Sequence, residues 1–172
     1  MTEYLDIVDS SDRVLGRAAR EVVHGNPLMI HRAVHVLVFD LEGRLYLQKR
    51  SMQKYIQPGK WDTSVGGHLA SGEDYGQAAE REMAEELGIR GKNPMFLYSY
   101  LFSNDIESEQ IHTYKLHYHG PIVLHPDEIS DGRFWSLSEI ESALGSGILT
   151  PNFEQELAYY AAWKERDSKQ ET

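Results

Sequence analysis

Between Gly67 and Ile89 the chain reads GHLASGEDYGQAAEREMAEELGI, a run dense in carboxylates at fixed spacing. The pattern is Gly67, five residues, Glu73, seven residues, Arg81-Glu82-Met83, one residue, Glu85-Glu86, one residue, Gly88-Ile89. At about 100° per residue on a helix, Glu82, Glu85 and Glu86 share an arc of roughly 100°, beside an apolar stripe of Ala79, Met83 and Leu87. Like charges crowded on one face repel at neutral pH unless a cation sits among them. Oxygen-only donors favour Mg2+ or Mn2+ over zinc. Arg81 is the natural partner of Glu73, two turns back, and the two meet only if the loop before the helix folds over it. An isolated glutamate triplet reads as an ordinary solvated face. The whole pattern arises by chance on the order of one time in ten million.

These residues need a helix with a fixed start and stop. Ser71 is the expected N-cap, with the helix beginning near Glu73 and ending near Leu87, where Gly88 supplies a left-handed cap. Upstream, Tyr4 to Val8 and Arg13 to Gly16 read as a hairpin, followed by a helical stretch from Arg17 to Val23. His31 to Asp40 and Arg44 to Arg50 read as two antiparallel strands, the Pro/Gly segment Lys54 to Lys60 as a loop, and Trp61 to Val65 as a short strand. Downstream, strands are expected at Met95 to Phe102, Ile111 to Tyr118 and Arg133 to Trp135, with an acidic loop from Ser103 to Gln110. Ser136 caps a helix to about Leu144, and Thr150-Pro151 opens a last helix with Phe153, Leu157, Tyr160 and Ala161 facing inward. A mixed sheet between helices follows, an α/β/α sandwich with an N-terminal β-hairpin extension.

The 172 residues suit one domain spanning 1–172, with 1–28 as the extension and 164–172 as a fraying polar tail. A net charge of −10 argues against a nucleic-acid polymer or an anionic membrane surface as partner, and absence of cysteine excludes disulfides and thiol chemistry. No apolar run approaches the roughly 18 residues that span a bilayer, and the acidic start MTEYLDIVDSSD is unlike a signal, so a cytoplasmic location is expected. Lys49, Arg50, Lys54 and Lys60 form the one concentrated basic set; Arg50 and Lys60 are the candidates for a substrate phosphate. Tyr55, Trp61 and Tyr100 are candidates to stack on a base. The sequence leaves the oligomeric state open, with a homodimer through the N-terminal hairpin as the candidate assembly.

The carboxylate pattern resembles the Nudix box of the Nudix hydrolase superfamily and matches it at every defined position. The resemblance implies the same α/β/α fold with a mixed sheet, a metal-binding loop-helix-loop, and Mg2+-dependent hydrolysis of a nucleoside diphosphate linked to another moiety. It implies that Gly66 gives a backbone carbonyl to the metal, that Glu82 is general base or ligand, and that Glu85 and Glu86 are ligands. Which of the three glutamates is the base stays open. Glu107 and Glu109 match an additional carboxylate supplied by a later loop as base or ligand.

The flanking residues resemble, more narrowly, the isopentenyl-diphosphate isomerase branch. His24, His31 and His68, with Glu107 and Glu109, match that branch's second metal site. The isomerase also needs a cysteine just before the Gly-His pair, and Gly66 stands there. The resemblance therefore implies an isomerase-like Nudix hydrolase acting on a small-molecule diphosphate, with catalytic Glu73, Arg81, Glu82, Glu85 and Glu86. The rival readings are isomerisation of a prenyl diphosphate and a non-catalytic nucleotide-binding module; the histidines either bind metal or pack.

Overall fold

The computed structural model describes residues 2–170. Its organising element is β3 (Ile30–Phe39), whose period-two alternation sends Val34, Val36 and Val38 to one face and Leu37 and Phe39 to the other. β3 runs parallel to β8 (Ser108–His117) along its whole length, from Ile30 opposite Ser108 to Phe39 opposite His117. It pairs antiparallel with β1 (Tyr4–Val8) at its start and with β6 (Val65–His68) from Ala33 to Val36, and meets β4 (Leu45–Arg50) through Phe39 and Leu45. β2 (Val14–Ala19) lies on β1, β7 (Met95–Ser103) on β8, and both β5 (Trp61–Asp62) and β9 (Ile129–Trp135) on β4.

Two cores follow from that alternation. Ala78, Ala79, Met83 and Leu87 of α2 (Tyr75–Leu87) pack on the valine face. Ile140 of α3 (Leu137–Ala143) and Phe153 and Tyr160 of α4 (Pro151–Gln170) pack with Leu37, Phe39, Leu45 and Leu47 on the opposite face. The expected mixed sheet between helical layers is what the chain forms. Each wholly buried Leu or Phe of this kind stabilises the fold by about 1.5–3 kcal/mol.

Several boundaries differ from expectation. β2 runs to Ala19, held by its ladder to β1, so the helix expected from Arg17 is a single turn, α1 (Arg20–Val23). Trp61 to Val65 is two strands with different partners, because the chain crosses from β4 to β3 at Thr63-Ser64. Ser64 fills the gap, its Oγ accepting from Val38 N at 2.9 Å and donating to Tyr46 O at 2.5 Å. The N-cap of α2 is Asp74, in a reciprocal capping box with Gln77. Ser71 instead donates to Asp6 Oδ1 at 2.6 Å and ties the loop to β1.

β8 begins at Ser108, since pairing to β3 recruits part of the expected acidic loop. The tail expected to fray from 164 is helical through Gln170, consistent with its Lys, Glu and Arg content; residues 171 and 172 lie outside the described range. Ala161 faces solvent, and on the same helix Glu156 is fully buried.

Candidate active site

α2 presents its three carboxylates unequally. Glu82 and Glu85 have side chains 12% and 56% exposed, and Glu86 is buried. Glu86 accepts from Gln48 Nε2 at 2.9 Å and from Gly66 N at 3.2 Å. Burial and the neighbouring Glu82 push its pKa up to about 8. Burial also raises Glu82, outweighing the pull of Arg81. Two carboxylates one turn apart thus resist joint ionisation until positive charge arrives.

Arg81 does not supply that charge to a ligand, because its guanidinium is already engaged. It donates to both Glu73 oxygens at 2.8 and 2.9 Å, to His68 O at 2.9 Å, to Glu82 Oε1 at 2.6 Å and to Glu85 Oε2 at 3.2 Å. The Glu73 hydrogen bond is the main reason its pKa is raised. Burial opposes ionisation of Glu73, yet Arg81 and Ala70 N hold it below its usual value. The loop does fold over the helix, and Arg81 staples it there.

A second cluster forms where α1, β3, β6 and the turn before β8 converge. One ligand atom from each of His24, His31, His68 and Glu107 lies within 4.8 Å of all the others. Glu109 backs it, 2.8 Å from His68 Nε2 and 3.5 Å from His31 Nε2. Burial opposes the Glu109 charge, but His31 and His68 hold its carboxyl well below the usual range. Burial and Glu109 raise Glu107. Burial, with His68 next, lowers His24 to about 4, so it stays neutral. His24 Nε2 and His31 Nδ1 are buried without a hydrogen-bond partner, and His31 Nε2 has only the long 3.5 Å approach of Glu109. Buried orphan imidazoles beside two carboxylates are a donor set that fits a divalent cation.

Neighbouring cavities join the two clusters. One of about 180 Å³ is bordered by His24, His35, His68, Glu86, Glu107 and Glu109, among others; another of about 380 Å³ by Arg81, Glu82, Glu85, Glu86, Lys54 and Glu128. Gly66, Gly67, His68, Gln48, Arg20, Arg50 and Glu86 line both. Arg50 reaches them through hydrogen bonds to Ile56 O and Asp62 Oδ2. Lys60 lines neither, and Lys54, paired with Glu128 at 2.8 Å, takes the place expected for it. None of the three stacking candidates lines either cavity: Tyr55 is 99% exposed, Trp61 packs on Trp135, and Tyr100 is buried against Glu156.

Sequence reasoning passed over several residues of this region. Gln48 is an unremarkable polar position in β4, and Thr63 and Asn152 carry no motif. Glu156 and His35 did leave a signal. Glu156 falls on the inward stripe of α4 between Phe153 and Tyr160, and His35 interrupts the apolar run of β3.

With this geometry in place, the chain can be compared with known proteins. Residues 29–157 match the NUDIX domain model. The chain is 34% identical over 164 residues to an uncharacterized Nudix hydrolase of Streptomyces coelicolor, covering 94% of this chain and 90% of that one. It is 33% identical over 150 residues to isopentenyl-diphosphate Delta-isomerase 2 of Photorhabdus laumondii, covering 85% and 84%. A crystal structure of a Deinococcus radiodurans protein superposes with a TM-score of 0.75 at 27% identity, covering 86% of this chain and 92% of that one. The class defined by fold and sequence is that of enzymes hydrolysing nucleoside diphosphate derivatives. The chain belongs to the Nudix hydrolase family, with isomerase-named proteins among its relatives.

Proposed function

We propose that the protein hydrolyses a diphosphate bond in a nucleoside diphosphate linked to another group, or in a related organic diphosphate, with Mg2+ or Mn2+ as cofactor. The observation that carries this reading is the pair Glu82 and Glu86, adjacent, shielded and raised in pKa beside an arginine with no charge to spare. Glu82, Glu85 and Glu86 with the Gly66 carbonyl would hold the ion, which when bound offsets charge on the diphosphate and activates water. Gln48 and Gly66 N fix the Glu86 carboxylate from behind. Arg81 fixes Glu82 through Oε1. On this reading Glu82 Oε2 would take the proton of a water attacking phosphorus, and a raised pKa suits that role. The P–O anhydride bond breaks, and two phosphorylated products leave. Arg50, which lines both cavities, would face the substrate phosphates, while Glu73 and Arg81 would position the loop.

His24, His31, His68, Glu107 and Glu109 would hold a second cation, favoured by the orphan imidazole nitrogens. Isomerisation is disfavoured because the chain has no cysteine to donate a proton. Among the described residues no helix is long and apolar enough to cross a membrane, and the reading is of a small-molecule enzyme acting as one domain. The test is turnover of nucleoside diphosphate sugars, dinucleotides, nucleoside triphosphates and isopentenyl diphosphate with Mg2+ and Mn2+. Hydrolysis that Glu86→Gln abolishes is expected. Conversion of isopentenyl to dimethylallyl diphosphate without hydrolysis of any substrate would overturn the reading.

A further inference from the structure

His35, which lines the smaller cavity, belongs to a buried network that the hydrolytic machinery does not use. Glu156 is fully buried on α4 and accepts four hydrogen bonds: from His35 Nδ1 at 2.6 Å, Tyr100 OH at 2.6 Å, Tyr98 OH at 2.5 Å and Thr113 Oγ1 at 3.2 Å. Burial of a carboxylate among aromatic rings is costly unless its lone pairs are satisfied. Here every donor converges on Glu156, so the group is held ionised despite burial, and the sheet and α4 are locked around it.

The consequence is a fixed imidazole. An ionised Glu156 takes the Nδ1–H of His35, which sets ring orientation and leaves Nε2 as the free end. That nitrogen has no hydrogen-bond partner among the described residues, and His35 lines the cavity. Its edge lies against Gly66: a Cβ added there would stand 3.2 Å from His35 Cδ2 and 3.6 Å from Nε2. Glycine at 66 is therefore what leaves the ring its room. Thr63 lines the same cavity and is 3% exposed, and its Oγ1 is buried without a partner. A buried hydroxyl left without a partner is unusual in a native fold, and with the unpartnered His35 Nε2 on the same cavity it marks a place for a ligand.

The cavity also limits what that ligand can be. At about 180 Å³ it lies below the usual range for drug-sized ligands, so it admits only part of a substrate. Asp62, Glu86, Glu107 and Glu109 border it beside Arg20 and Arg50, so its lining is not the purely basic one that a further bare phosphate would need. An alkyl chain would leave Thr63 and His35 unpaired and buried. A hydroxyl, which donates and accepts, suits both.

We propose that His35, positioned by Glu156, and Thr63 select the substrate's second moiety by binding a hydroxylated group of sugar type. This deepens the hydrolase reading and rests on its placing of the diphosphate between Arg50 and the α2 carboxylates. The test uses the full chain and a matched pair, a nucleoside diphosphate hexose and its monodeoxy-hexose analogues, with a prenyl diphosphate as apolar control. Dissociation constants are measured by calorimetry with Ca2+ in place of Mg2+, and turnover is measured separately with Mg2+. The hexose ligand is expected to bind about tenfold or more tightly than at least one deoxy analogue. His35→Ala and Thr63→Val each bring that ratio toward one, and Glu156→Gln, which removes the charge that holds the ring, lowers it as well. A merely structural role would weaken both ligands alike. A ratio unchanged in both His35→Ala and Thr63→Val, or a prenyl diphosphate bound as tightly as the hexose, overturns the proposal. Loss of the hydrolase reading shows instead as no Mg2+-dependent turnover while the binding ratio persists.

Discussion

The carboxylate of Glu82 occupies the space that a side chain at position 67 would need: a Cβ built on Gly67 overlaps its Cδ and both oxygens. The box glycine is thus a steric vacancy for a functional group rather than a turn requirement, and φ at Gly67 is not in the left-handed region. In Gly67→Ala the flexible Glu82 side chain swings away. Stability should change by less than about 1 kcal/mol, while kcat falls by about 10²-fold because the carboxylate is displaced. Thermal melts and steady-state kinetics on the same preparation check this.

Glu82→Gln and Glu86→Gln should each lower kcat by about 10²- to 10⁴-fold without unfolding the protein. Glu85→Gln should be milder, since its side chain is the most exposed of the three. Equal, intact Mg2+-dependent turnover in the first two would sink the assignment.

Glu86 gives a pH dependence of known sign. Its folded pKa is raised to about 8 from an ordinary 4.5, so its contribution to stability is fully present below about 4.5 and is lost as pH rises through about 8. In chelator, the melting temperature of the wild type should therefore fall more steeply between pH 5.5 and 8.5 than that of Glu86→Gln. Stabilisation by added Mg2+ should grow over the same window. Parallel profiles for the two proteins would contradict the raised value.

Arg81→Lys retains charge but loses the fork that spans Glu73, His68 O and Glu82. We expect a loss of about 1–2 kcal/mol, lowering the melting temperature by about 2–8 °C. Activity should drop further than stability, since Glu82 loses its positioning partner. Kinetics at a temperature well below the melting transition separate the two effects.

The histidine cluster predicts metal content. Protein purified with Mn2+ or Zn2+ and dialysed should retain metal that His31→Ala loses, while Glu85→Gln retains it. Elemental analysis reads the difference; equal retention in both would place the ion elsewhere.

The linear sequence determined the chemistry of α2. Its spacing alone sets Glu82, Glu85 and Glu86 on one arc, puts Gly88 at the left-handed cap with φ 69°, and aligns Ala79, Met83 and Leu87 toward the core. Those are short-range consequences of helical geometry, and the alternation of β3 is legible for the same reason. The diversion of Ser71 to Asp6, the length of β2 and the split of β5 from β6 were decided by partners distant in sequence. So was the difference among the three glutamates, because burial depends on Gln48 and Gly66 lying across the sheet. The His35–Glu156 pair joins residues 121 positions apart, and only the packing of α4 against β3 brings them together. Local spacing fixes what a helix presents, but desolvation and long-range pairing decide which of those groups carry charge and where a substrate can fit.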